Sequence, residues 1–155
     1  MSKKLITIVT GNSNSGSSCI AELFSRYGSN VNVRGAFRTE EKAKAFREKY
    51  PTLEIVTGID AERPETLKPA FQGADSALIV TTCDTSKGFA EDARLTANLI
   101  HSAVENGVKY NVLVSAWTSK CDNKPLAQSR FKPNEDLLVN LSKKHGLNWT
   151  VLRGI

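Results

Sequence analysis

Residues 5–38 read LITIVT, then GNSNSG, then SSCIAELFSRYG, then SNVNVRGAFR. The first six residues are apolar or β-branched, the pattern of a parallel strand buried on both faces. The next six, Gly11, Asn12, Ser13, Asn14, Ser15 and Gly16, form a small-residue loop. Beyond them Cys19, Ile20, Leu23, Phe24 and Tyr27 share helical spacing, and Gly28 closes the helix. A second β-type run, residues 31–37, ends on Arg38. Strand, loop, helix and strand in this order aim a helix N-terminus at the place where a nucleotide phosphate is held.

The alternation continues downstream. Helical patterns are expected over residues 39–50, 64–71, 89–105 and 133–146, and strand patterns over 53–57, 76–81, 110–115 and 148–152. Thr39 is placed to cap the second helix, with Glu40 and Glu41 in its first turn. The longest helix should bury Ala93, Ala97, Ile100 and Val104. Residues 117–132 are polar and irregular, long enough to cover a site. Six strands alternating with helices require right-handed crossovers, hence an α/β, doubly wound parallel sheet in the order 3-2-1-4-5-6 with helices on both faces. Its ligand crevice would lie at the C-terminal ends of the first and fourth strands.

The 155 residues suffice for one domain. A hydrophobic share of 40% and a charged share of 24% are those of an ordinary globular chain. The net charge of +5 comes from Lys and Arg spread along the chain. This fits a solvated surface with a phosphate pocket, and no nucleic-acid module is recognisable. Cys19, Cys83 and Cys121 form no ligand spacing, which argues against a disulfide framework or a zinc site and for a reducing, cytoplasmic setting. The N-terminal apolar run is too short to span a membrane.

The loop is G-N-S-N-S-G and not G-x-G-x-x-G, so its position after a buried strand says more than its glycines. A polar turn that holds nothing would share the composition. The end of the second strand separates the two nicotinamide dinucleotides: an acid there binds a ribose 2′-hydroxyl, a base a 2′-phosphate. Arg38 stands there, with Lys42 one turn into the helix, which favours NADP(H), with NAD the alternative. Hydride transfer wants a proton donor near the substrate, yet the residues four places after Tyr27, Tyr50 and Tyr110 are Val31, Glu54 and Val114. There is no Tyr-x-x-x-Lys.

Taken together, ITIVTG, VRGAFRTEEKAKAF, PETLKPAFQGADSALIVTT, NLIHSAVENGVKYNVLVSA and NEDLLVNLSKKHGLNWTVLRG resemble the NmrA-like group of atypical short-chain dehydrogenases/reductases, over nearly the whole chain. The resemblance implies a pyrophosphate on Gly11–Gly16 and a 2′-phosphate on Arg38 and Lys42. It further implies Asp60 beside the adenine, Thr81, Thr82 and Ser115 along the nicotinamide ribose, and Lys132 in place of the dehydrogenase lysine. Members of the group include dinucleotide-binding redox sensors and NADPH-dependent reductases. The family loop is G-x-x-G-x-x-G; here it is one residue shorter and lacks the middle glycine. Pro133 follows Lys132 and disfavours helical backbone there, which makes Arg130 a substitute candidate. In the family the LRPG segment leads into a helical substrate lobe, whereas this sequence reads LRGI. The expectation is therefore a cofactor-binding half that responds to dinucleotide, contacts a protein partner or self-associates at its open crevice. An NADPH-dependent oxidoreductase is the alternative, and a truncated product that binds poorly a third.

Overall fold

Strand β1, Lys4–Val9, lies at the centre of a six-stranded sheet. The computed structural model describes residues 2–81, 85–120 and 127–154. β1 pairs in parallel with β2, Val31–Ala36, on one side and with β4, Ser76–Ile79, on the other. β3, Glu54–Val56, lies beyond β2. β5, Tyr110–Ala116, and β6, Asn148–Gly154, lie beyond β4. The order is 3-2-1-4-5-6 and every pair is parallel, as the alternation predicts. The chain reverses its direction of travel across the sheet between β1 and β4, which opens a crevice at their C-terminal ends.

Alternate β1 residues serve two cores. Ile8, level with Gly35 and Leu78, packs with Ile20 of α1 (Asn14–Tyr27) and Ala43 of α2 (Glu40–Lys49). Val9, level with Ile79, packs with Phe71 of α3 (Lys68–Phe71), Leu99 and Ile100 of α4 (Phe89–Glu105) and Leu138 of α5 (Lys132–His145). The helices thus cover both faces. Burying an aliphatic or aromatic side chain contributes about 1.5–3 kcal/mol, so these two cores supply most of what fixes the sheet.

Phe37, which follows β2, is fully buried. A Cβ on Gly35 would lie 2.7 Å from its ring, and one on Gly11 3.0 Å from it. The ring therefore fills space that two glycines leave.

Several elements differ from the periodicity. α1 begins at Asn14, inside the expected loop, because Ser13 provides a cap. Tyr27 is 49% exposed: eight residues at 3.6 per turn rotate it roughly 80° from Cys19. Residues 64–71 form a 3₁₀ turn, Pro64–Thr66, and the four-residue α3 rather than one helix; Pro69 removes a backbone donor at that point. α4 buries Ala93 and Ile100 as expected, but also Asp92, Leu95, Thr96, Leu99 and Ala103, because α3 and α5 flank it and widen its covered face. Trp117–Lys120 is a 3₁₀ turn and Ala127–Phe131 a π turn that runs into α5. Cys83 and Cys121 fall outside the described residues.

Candidate functional site

The Gly11–Gly16 loop is shorter in space than in sequence. Gly11 N–H donates to the Ala36 carbonyl at 3.1 Å, which fastens the loop to the end of β2, and Ser13 N–H donates to the Thr10 carbonyl at 2.9 Å. Thr10 adopts φ 59°, an uncommon, strained conformation for a β-branched residue. Ser13 is the N-cap: its Oγ accepts the Gly16 N–H at 3.0 Å. An α-helix leaves its first N–H groups without intrahelical partners. With Gly16 taken by Ser13, the Asn14 and Ser15 amides are those an incoming anion could use. A Cβ on Gly16 would come within 2.5 Å of the Thr10 carbonyl oxygen, so only glycine lets the helix start this close to β1.

Next to this loop is a cleft whose lining includes Val9, Thr10, Asn12, Arg38, Lys42, Asp60 and Leu99. Arg38 projects from the end of β2 with its side chain 57% exposed. Lys42 lies in the first turn of α2, whose cap is Thr39: the Lys42 N–H donates to Thr39 Oγ1 at 3.4 Å. Asp60 comes in on the segment after β3, held to β2 through the Ile59 N–H, which donates to the Phe37 carbonyl at 3.2 Å. Burial works to raise the Asp60 carboxyl. The Glu62 backbone N–H, the Arg63 hydrogen bond and the charges of Arg38 and Arg63 outweigh that and hold it below its ordinary value.

The sequence-predicted residues therefore divide. Asn12, Arg38, Lys42 and Asp60 meet in one cleft, with Gly11 through Gly16 turning beside it. Thr81 is buried after β4, and Thr82 lies outside the described residues. Ser115, at the end of β5, donates from its hydroxyl to Glu135 Oε1 at 2.6 Å, and Glu135 in turn receives Arg153 Nη2 at 2.6 Å. Burial pushes the Glu135 carboxyl up; hydrogen bonds from Arg153, Ser115 and Ser119, with the Arg153 charge, more than offset it and keep it low. Lys132 opens α5, exposed, with Asp136 at 3.6 Å. Arg130 pairs with the buried Asp92 at 2.7 Å and lies over the Phe131 ring. Thr81, Ser115, Arg130 and Lys132 are not part of the lining of the Arg38 cleft.

Two residues that the sequence does not single out take part. Arg63 donates to Asp60 Oδ2 at 3.1 Å; its signal is the three-residue Asp60-to-Arg63 spacing, which fits a turn. Thr10 supplies the left-handed residue, which nothing in its identity announces. Among the described residues, no group of three or more His, Cys, Asp or Glu side chains could hold a metal ion, and no helix is long and apolar enough to cross a membrane.

The sequence pattern of a family described as NAD(P)H-binding matches residues 11–154. No curated protein sequence matches significantly. Solved structures with this fold include the Citrobacter sp. triphenylmethane reductase complexed with NADP(H), with a TM-score of 0.82 and 21% identity, over 96% of this chain and 49% of that one. An Escherichia coli NADPH-dependent quinone oxidoreductase complexed with NADPH gives 0.80 and 21%, over 96% and 48%. Alfalfa vestitone reductase gives 0.73 and 13%, over 97% and 56%. This chain spans about half the length of these proteins. At such identities the likeness is one of fold.

Proposed function

This chain belongs to the NAD(P)H-binding family, and from that premise we propose that it is an NADP(H)-binding domain of the NmrA-like type, acting as a dinucleotide-responsive binding or regulatory module. One observation carries the choice of NADP(H): Arg38 and Lys42 line the same cleft as Asn12 and Thr10. On this reading the two cations would hold an adenosine 2′-phosphate, and the sequence puts no acid at the tip of β2. Arginine suits this task because its planar fork matches phosphate oxygens.

The residues present fit a dinucleotide. Gly16 lets the helix start pack closely against Thr10, the Asn14 and Ser15 amides would take the pyrophosphate, and Asp60 would flank the adenosine. Thr81, Thr82, Ser115 and Lys132 are assigned to the nicotinamide side on the resemblance. Bound NADPH would supply a hydride; this chain's residues bind and orient. The absence of Tyr-x-x-x-Lys from the sequence supports a module that senses dinucleotide and reports it to a protein partner. Calorimetric titration with NADPH and NADH tests this. Tighter NADPH binding, lost in Arg38→Ala, is the expected result; no heat and no thermal shift with either dinucleotide would sink the proposal.

A second reading is an NADPH-dependent oxidoreductase. Its support is the fold shared with two reductases crystallised with NADP(H) or NADPH. A quinone substrate could take its proton from water and would need no tyrosine. Steady NADPH consumption across a quinone panel, lost in Arg38→Ala, would favour the enzyme; none would leave the binding module.

A further inference from the structure

An aspartate is a poor neighbour for a phosphate. Asp60 lies in the cleft with Arg38 and Lys42, and its Oδ2 is 3.8 Å from Arg38 Nη2. A carboxylate left alone with a guanidinium pairs with it through two parallel hydrogen bonds. It would then hold the very group a 2′-phosphate needs, and repel the phosphate as well.

The structure engages Asp60 from another direction. Arg63 Nε donates to Oδ2 at 3.1 Å, and the Glu62 N–H donates to Oδ1 at 3.0 Å. The turn that presents Arg63 is itself tied down. Arg63 N–H donates to the Asp60 carbonyl at 2.9 Å, and the Thr66 hydroxyl bonds the Arg63 carbonyl at 2.8 Å. The Asp60 N–H donates to that same hydroxyl oxygen at 3.0 Å. Arg38 remains beyond hydrogen-bond distance from the carboxylate, with more than half of its side chain exposed. Glu62, also in the cleft, is paired with Lys87. Arg38, Lys42 and Arg63 against Asp60 leave two positive charges, a match for a phosphate group of roughly −1.5 to −2.

We infer that Arg63 is a positioning residue for cofactor choice: by occupying Asp60 it leaves Arg38 free for the adenosine 2′-phosphate, and so sets the preference for NADPH over NADH. The inference rests on the cofactor reading above and deepens it. Arg63 need not touch the dinucleotide.

The test measures NADPH and NADH dissociation constants at one fixed salt concentration for the unmodified chain, Arg63→Ala, Arg63→Gln and the double variant Arg63→Ala/Asp60→Asn. Arg63 is largely exposed, and circular dichroism confirms that each variant folds. The expected result is about a tenfold loss of NADPH affinity in both single variants, equivalent to about 1.4 kcal/mol. NADH binding should change by less than about twofold, and the double variant should recover to within about threefold of the original. In the ligand-free protein, the Asp60 carboxyl followed by carbon-13 NMR should titrate higher in Arg63→Ala. NADPH binding with an unaltered NADPH-to-NADH ratio in Arg63→Ala overturns the inference and leaves the cofactor reading standing. Equal loss of both dinucleotides makes Arg63 merely structural, and failure of Asp60→Asn to restore binding means that Arg63 meets the phosphate itself; either overturns the positioning role. No NADPH binding by the unmodified chain overturns the cofactor reading and this inference together.

Discussion

The Ser13 hydroxyl accepts the Gly16 N–H at 3.0 Å, so the helix that faces the crevice is capped by its own loop. On the proposed reading, a phosphate would draw on the same helix terminus as Ser13. Ser13→Ala should cost about 1 kcal/mol of stability in urea unfolding of the ligand-free chain. Added NADPH should recover more in the variant than in the parent, because no internal acceptor competes. Equal ligand-induced shifts would count against competition at Gly16.

Gly16 lies in α1, where helix propensity alone favours alanine by about 1 kcal/mol. The structure reverses that sign. The added Cβ would come 2.5 Å from the Thr10 carbonyl, a backbone atom that cannot swing aside, and overpacking of this kind costs about 1–3 kcal/mol. Gly16→Ala should therefore lower the melting temperature and weaken dinucleotide binding. A variant as stable as the parent would show that the loop has slack.

Thr10 offers the opposite experiment. A non-glycine residue in the left-handed region costs about 1–3 kcal/mol, offset on substitution by the extra unfolded-state freedom of glycine, about 0.5–1 kcal/mol. Its hydroxyl makes a single long hydrogen bond, 3.4 Å to the Val80 carbonyl. Thr10→Gly should raise stability, by up to about 2.5 kcal/mol, in urea titration; a decrease would mean that the side chain contributes more than its conformation costs.

Glu135 gives a pH signature. Burial raises its carboxyl, but Arg153, Ser115 and Ser119 hold it below the ordinary 4.5. A depressed folded value means that the folded state binds the proton less readily than the unfolded one. The stabilisation is then complete above about pH 4.5 and lost as pH falls through the folded value. Glu135→Gln should be less stable than the parent at neutral pH, and the gap should narrow progressively below pH 4.5. A gap independent of pH would show that the carboxylate's charge contributes nothing. Asp60, also held low, adds a slope of the same sign to both proteins.

The sheet order was legible because β-type runs such as those of β1 and β4 alternate with helical patterns along the chain, which leaves few alternative windings. Local chemistry was less so. The start of α1 shifted because asparagine and serine serve equally as loop and as cap, and only the Ser13–Gly16 bond decides between them. Arg38 and Lys42 could be placed from their distance past the β2 run. Arg63 could not, because its role depends on the orientation of Asp60, which comes from a turn wired by Thr66. Ser115 sits at the strand end that the pattern assigns to it, but what its hydroxyl meets depends on Glu135, twenty positions on. Periodicity reports which face a residue occupies and nothing about the neighbour it finds there.

Phe37 gives the site a memory of its ancestry. Its ring fills the volume beside both Gly11 and Gly35, one in the loop and one in β2, so bulk added at either glycine presses on the same ring. A lineage that enlarges either glycine must first trim the aromatic, and one that trims the aromatic releases both glycines at once. In related sequences a bulkier residue at position 11 or 35 should therefore travel with a smaller one at 37, and the Gly11–Gly16 loop should inherit its shape partly from the strand beside it.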